Sequence, residues 1–488
     1  MTKCRAASFL NVFQAEKSKD CSPLRDGRNT KCGEDQRWHL KALCLAIALL
    51  CWHGGNAIGQ QSAAFPDDDS SASHIAAPSK PATQVPPQSP KNISVWILDD
   101  LGSTEADITR KSAEIFNRNQ HAYKIELTPL VRSDYDSWIH GEAIAGTLPC
   151  LLQFDGTLLA SFAWPEYLQP IDQFVPPALL NDLLPSIVTQ GTYQGRLYSL
   201  GQFDSGLGLW GNRRYLRAAG VRIPTVNAPW NLAEFEQALA KLTALEEVDY
   251  AIDFAFYYVI SASYAYAYSP ILQGFGGDLI DRRNSHTAKG VLDGPESVEA
   301  MKHFQSWVQK GWAKAVFDRQ DDFERGKTAL AWNGHWVYRR YEKALGNDLV
   351  LLPLPDFGHG IKTGMGSMTW GISSTCPDPA GAWAFLAHLM SVKEILRMTN
   401  VNGAPPARRS ALAQSLLYGT QGPLRLFVEQ LDVGGVSRPA TPAYSTIGVA
   451  FTNAVLNIID SGDVQFELSK AAEVIDRTIA AHHGYPYP

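Results

Sequence analysis

The chain has 488 residues, is 45% hydrophobic and 19% charged, and carries a formal net charge of −6. That balance suits a globular chain of more than one domain and excludes one disordered throughout. A mildly acidic chain without a dense basic stripe is a poor partner for nucleic acid, and no run reaches the roughly 18 apolar residues of a membrane span.

Residues 42–52 (ALCLAIALLCW) form a short apolar run preceded by Arg37, His39 and Lys41. Ala57 and Gly59 follow, small residues at the two places a signal peptidase reads. Residues 1–59 are therefore expected to be a secretory signal with a long n-region, cleaved near Gly59. Leu50 before Cys51 does not suit a lipid anchor, so a soluble periplasmic product is expected. Of the seven Cys, only Cys150 and Cys376 lie beyond this leader. An oxidising compartment would allow them to pair, but one pair is not a disulfide framework, and two buried free thiols are the expectation. Residues 60–91, rich in Pro, Ser and Ala, cannot bury enough surface to offset their ordering entropy and read as a tether.

Beyond the tether, residues 93–98 (ISVWIL) are β-prone and end in Asp99-Asp100. Thr104 with Asp107 starts a helix, the carboxylate near its positive end. A strand over 123–130, a helix over 135–145 and the apolar run 151–154 follow. Strand and helix alternating in this way imply parallel pairing with right-handed crossovers. Asn231 and Glu234 have capping-box spacing, and Phe235, Ala238, Leu239 and Leu242 then share one helical face. Pro295 opens a helix that Gly311 closes, Pro379 opens another, and 464–479 is helical by the same periodicity.

Residues 206–211 (GLGLWG) match a dinucleotide-binding glycine pattern. Asp204 and Ser205 stand where an apolar strand is needed, and Trp210 would crowd a pyrophosphate, so the segment reads as a close-packed crossing strand. No phosphate-loop, zinc or nucleophile-elbow pattern occurs, and no cofactor or metal is expected. The positive signal is aromatic: 13 Trp, 18 Tyr and 20 Phe, several beside turn-forming polar residues. These include Phe154-Asp155-Gly156, Tyr257-Tyr258, Trp332-Asn333-Gly334-His335-Trp336, Trp370-Gly371 and Tyr444-Ser445. Rings can cover the apolar face of a pyranose while carboxylates accept from its hydroxyls. Such a mixture without a nucleophile describes a sugar-binding cleft better than an active site.

In order along the chain, these segments resemble the extracellular solute-binding proteins of sugar ABC transporters, the family that includes the maltodextrin-binding proteins. YQGRLYSL at 193–200 is similar to the family's Y-x-G-K-x-Y-x-x-P, with Leu200 in place of Pro. Residues 209–220 resemble Y-N-K-x-L-F-x-x-A-G, with Gly211 as an insertion, and 224–234 a stretched P-x-T-W-x-E. FERGKTALAWNGHW at 323–336 resembles F-x-x-G-K-A-A-M-x-x-N-G-x-W, with His335 in a variable slot.

The resemblance implies a type II periplasmic-binding-protein fold, two α/β lobes joined by crossing strands. Lobe 1 would comprise residues 92–202 and 354–403, and lobe 2 residues 203–353 and 404–488. It implies a monomer that performs no chemistry, closes on a sugar or oligosaccharide and delivers it to a membrane permease. By motif, Asp100 and Asp155 would offer lobe-1 carboxylates, with Asp204 near the hinge. Asn333, Trp336 and Tyr444 would line lobe 2 with Tyr257 or Tyr258 beside them, and Trp370 would lie near the cleft mouth. The competing readings are a secreted carbohydrate hydrolase using Asp100 and Asp204, a redox enzyme using 206–211, and a binder of a non-sugar solute on the same fold.

Overall fold

A computed structural model describes residues 89–99, 103–131, 135–256, 263–315 and 319–486. Contacts divide the chain into Met1–Thr83 and Gln84–Pro488, and every described residue belongs to the second unit. The leader, nearly all of the tether, Asp100, Tyr257 and Tyr258 lie outside the described residues.

The main strands are β1 (Lys91–Leu98), β2 (Tyr123–Leu130), β3 (Leu151–Asp155), β4 (Ser199–Leu200), β5 (Leu207–Asn212), β6 (Tyr250–Asp253), β7 (Thr328–Gly334), β8 (Leu349–Leu352) and β9 (Met368–Ile372). The first sheet has the order β2-β1-β3-β9-β4, the second β8-β5-β7-β6. In β1, Ile93, Val95 and Ile97 alternate into the core and are fully buried. β1 pairs in parallel with β2 and β3, as a strand–helix–strand order requires, whereas β9 returns antiparallel to β3.

Helix starts follow local chemistry. The helix Thr104–Asn119 is capped by Ser103, whose hydroxyl accepts from the Ala106 N–H. The helix Leu232–Thr243 carries the full Asn231/Glu234 capping box and buries Phe235, Ala238, Leu239 and Leu242. The glycine-rich segment is β5, buried along its length. A Cβ on Gly208 would sit 2.7 Å from Leu351 Cδ1, so close packing against β8 explains that glycine without any nucleotide.

The chain passes between the two sheets before β5 and again between β8 and β9. Leu354, Phe357 and Ile361 pack into the core of the second sheet. Trp210, Phe427, Tyr338 and Tyr341 join a core shared with the first-sheet residues Ile93, Val95 and Ile97. On their other faces the sheets carry separate cores, one around Leu152 and Phe154, the other around Leu209, Phe254 and Trp332.

The expectation of free thiols is corrected. Cys150 and Cys376 form a disulfide across 226 residues. The β3–β9 register explains it: Ile372 pairs with Leu151, which sets Cys150 beside the turn that carries Cys376.

Candidate ligand-binding site

Open α/β sheets bind ligands beyond the carboxyl ends of their strands. The ends of β3, β6 and β7 supply Asp155, Phe254 and Asn333, and all three line one cleft of about 400 Å³. That volume suits a small organic ligand. Glu105 and Met368 join Asp155 on the first-sheet side, while Phe203, Ser205 and Gly366 from the crossing segments form the floor.

The opposite wall is aromatic. Trp336 follows β7 and is 41% exposed, and its ring lies 6.3 Å from that of Tyr266. Gly334 makes this fold-back possible, because a Cβ there would fall 2.0 Å from the indole. Tyr264, Tyr266 and Tyr268 come from the helix Ser263–Gly274. Tyr264 and Tyr268 donate their hydroxyls to the Phe256 and Phe254 carbonyls, at 2.5 and 2.7 Å, and so brace the turn after β6. Tyr266 donates to Ser205 Oγ at 3.0 Å, and burial pushes its hydroxyl pKa well up.

Arg438 ties the two sides together. Its guanidinium donates to Asp155 Oδ1 at 2.5 Å and stacks 4.6 Å over the Tyr266 ring. Asp155 also accepts from the Thr157 N–H and hydroxyl, at 3.0 and 2.9 Å. The cleft thus holds a carboxyl group paired with a guanidinium, and large rings, a donor and acceptor set matched to hydroxyl groups.

Of the residues singled out from sequence, Asp155, Asn333 and Trp336 come together in this cleft. Three others are placed behind its wall. Asp204 is fully buried, and its Oδ1 accepts from the Ser205 and Gly366 N–H groups, both at 2.7 Å, which pins two crossing segments together. Burial raises its pKa. Tyr444, 1% exposed, packs in the second core, where burial pushes its hydroxyl up to about 12. Trp370, also 1% exposed, faces the shared core because it sits mid-strand in β9. Sequence reasoning missed Glu105, Arg438 and the tyrosine helix as cleft residues.

His335 also lines the cleft. Its Nδ1 lies 3.3 Å from the Asn402 carbonyl, which favours the tautomer with the proton on Nδ1 and Nε2 left as an acceptor. Burial pushes its imidazole pKa down to about 4. The unfolded chain therefore binds this proton near pH 6.5 and the folded chain does not, so acid between those values favours unfolding. Asp253, raised to about 6 by burial, works the other way, since its carboxyl is more easily protonated when folded. The difference between wild type and H335F isolates the histidine. The variant is expected to recover about 3 kcal/mol of the stability that wild type loses between pH 6.5 and 4, read by denaturant titration at each pH.

With this geometry in place, comparison with known proteins decides the family. Residues 111–417, well over half of the chain, match the bacterial extracellular solute-binding proteins. The chain belongs to that family. As a member it is a binding protein and not an enzyme. An uncharacterized lipoprotein encoded in the oleD 5' region of Streptomyces antibioticus is 24% identical over 336 residues, covering 66% of this chain and 71% of its own. The maltotriose-binding protein of Pyrococcus abyssi is 25% identical over 213 residues, covering 43% of each. Among solved structures, the cyclic alpha-maltosyl-1,6-maltose binding protein of Arthrobacter globiformis superposes with a TM-score of 0.68 at 19% identity, over 80% of this chain and all of its own. The fold is thus the two-lobed α/β fold of the type II binding proteins, as expected. Family membership makes the protein extracellular, and no helix among the described residues is long and apolar enough to cross a membrane.

Proposed function

We propose that this solute-binding protein captures a sugar or short oligosaccharide in the cleft and hands it intact to the permease of an ABC importer. The observation that carries this reading is the partly exposed Trp336 ring, set in one cleft with Asp155 and Arg438. An indole face covers sugar C–H groups, while the ion pair meets the hydroxyls from both sides. The maltotriose-binding relative supports a glucose-based ligand. Against a hydrolase, Asp155 is committed to Arg438 and Thr157, and Asp204 lies behind the cleft wall.

Asp100, Tyr257 and Tyr258 are further ligand contacts, while Asp204, Tyr444 and Trp370 hold the walls from behind. Lobe 1 comprises residues 92–202 and 354–403, and lobe 2 residues 203–353 and 404–488. The signal is cleaved near Gly59, and the mature protein works as a monomer in the periplasm, without affinity for nucleic acid.

Calorimetry with maltose, maltotriose and cyclic glucosides tests the reading. Saturable binding to at least one is expected, with the sugar recovered unchanged after overnight incubation. W336A is expected to bind about 30-fold more weakly with an unchanged melting temperature, as for a central aromatic contact. Shortened products would establish a hydrolase; a response to a non-sugar solute alone would move the ligand class.

A further inference from the structure

The two sheets share one core behind the cleft, whereas the faces toward the cleft belong to separate cores. Besides the Arg438–Asp155 pair, Trp164 and Tyr485 bring those separate cores together. Trp164, just after the helix Leu159–Ala163, packs against the core around Phe154. Tyr485, beyond the helix Val464–Ala481, packs against the core around Phe254 and Trp332. Their rings meet edge to face at 5.1 Å and 89°, and Trp164 Nε1 donates to the Pro486 carbonyl at 2.8 Å. His482 stacks on the other side of Tyr485 at 4.8 Å and 10°.

The backbone here is in a conformation that needs holding. His483, Gly484 and Tyr485 have φ of +54°, +78° and +55°, consecutive left-handed residues of which only one is glycine. A free segment would relax out of that run, so its contacts with Trp164 and His482 fix it. Beside it, the Ser161 hydroxyl donates to the Pro442 carbonyl at 3.3 Å, a second link of the same kind.

We infer that residues 484–486 form a strap that fastens the second lobe to the first across the cleft side, opposite the shared core. Parting the lobes then requires Tyr485 to leave Trp164. The strap adds to the Arg438–Asp155 pair in weighting the resting balance toward the closed cleft before any ligand arrives, because a contact made in one arrangement alone shifts the population toward it. It rests on the two-lobed fold and is independent of which solute is bound.

The test uses the ligand-free full chain, with fluorophores on unnatural residues at the exposed positions 124 and 241, which leave the disulfide intact. Single-molecule energy transfer reads the interlobe distance. Wild type is expected to populate a short-distance state alongside a longer one. W164F, which keeps a ring but loses the Nε1–H donor, is expected to raise the open-to-closed ratio roughly 3- to 10-fold. Y485A removes the ring contact but leaves the bond from Trp164 to the Pro486 carbonyl, and is expected to raise the ratio by a similar factor. If Y485A does not fold, W164F alone decides. A W164F distribution that overlays wild type overturns the strap. Failure of the sugar reading would show separately, as absent binding in calorimetry.

Discussion

R438A is expected to weaken sugar binding by about 100-fold and to lower the stability of the chain by about 3 kcal/mol. The side chain is largely buried, its guanidinium held between the Asp155 carboxylate and the Tyr266 face. Removing it leaves the half-buried carboxylate at the cleft without its counter-charge and the Tyr266 ring without its stacked partner, and the two losses together make up the cost. R438K separates charge from shape. An ammonium keeps the charge but cannot present a planar fork while stacking on a ring, so an intermediate loss is expected. Calorimetry with the tightest-binding glucoside and urea titration of the ligand-free protein measure the two effects. An R438A protein with wild-type affinity would remove Arg438 from the binding apparatus.

The second large effect belongs to the disulfide. C150A/C376A is expected to be about 4 kcal/mol less stable than wild type, read as a lower midpoint in guanidinium chloride. The bridge closes a loop of 226 residues, and long loops forfeit the most unfolded-state freedom when cross-linked. Neither cysteine lines the cleft, so sugar affinity is expected to stay within twofold. An unchanged midpoint, with the bridge confirmed in wild type by mass spectrometry, would show that the cross-link contributes nothing.

Local signals were legible in the sequence wherever the physics is local. The Asn231/Glu234 box and the prolines at 295 and 379 need only their own turn of helix, and they cap and open the helices expected of them. The glycine pattern at 206–211 was readable as packing because Trp210 and Asp204 conflict with nucleotide geometry. Trp336 and Asn333 stood out as polar-flanked aromatic sequence at a strand end. Glu105 did not, because an acid in the first helical turn is already explained by the helix dipole. Arg438 sits in an irregular stretch with no periodicity to mark it, and its role exists only once Asp155 and Tyr266 are brought to it from far away in the chain. Trp370 and Tyr444 illustrate the converse: a ring beside a small or polar neighbour can still face inward when it lies mid-strand or at the start of a buried helix. The cysteines were ambiguous because their pairing is set by the register of β3 against β9.

The topology of the first sheet bears on how the protein is made. β9 lies between β3 and β4 in space, yet the whole second sheet intervenes in sequence before β9 is reached. Cys150 therefore leaves the ribosome on the order of tens of seconds before its partner at synthesis rates of about 5–20 residues per second. Until then the thiol has no native mate, and the first sheet has a gap between β3 and β4. The bridge and the completed first sheet therefore belong to the late part of the folding order, after the strands of the second sheet have been made.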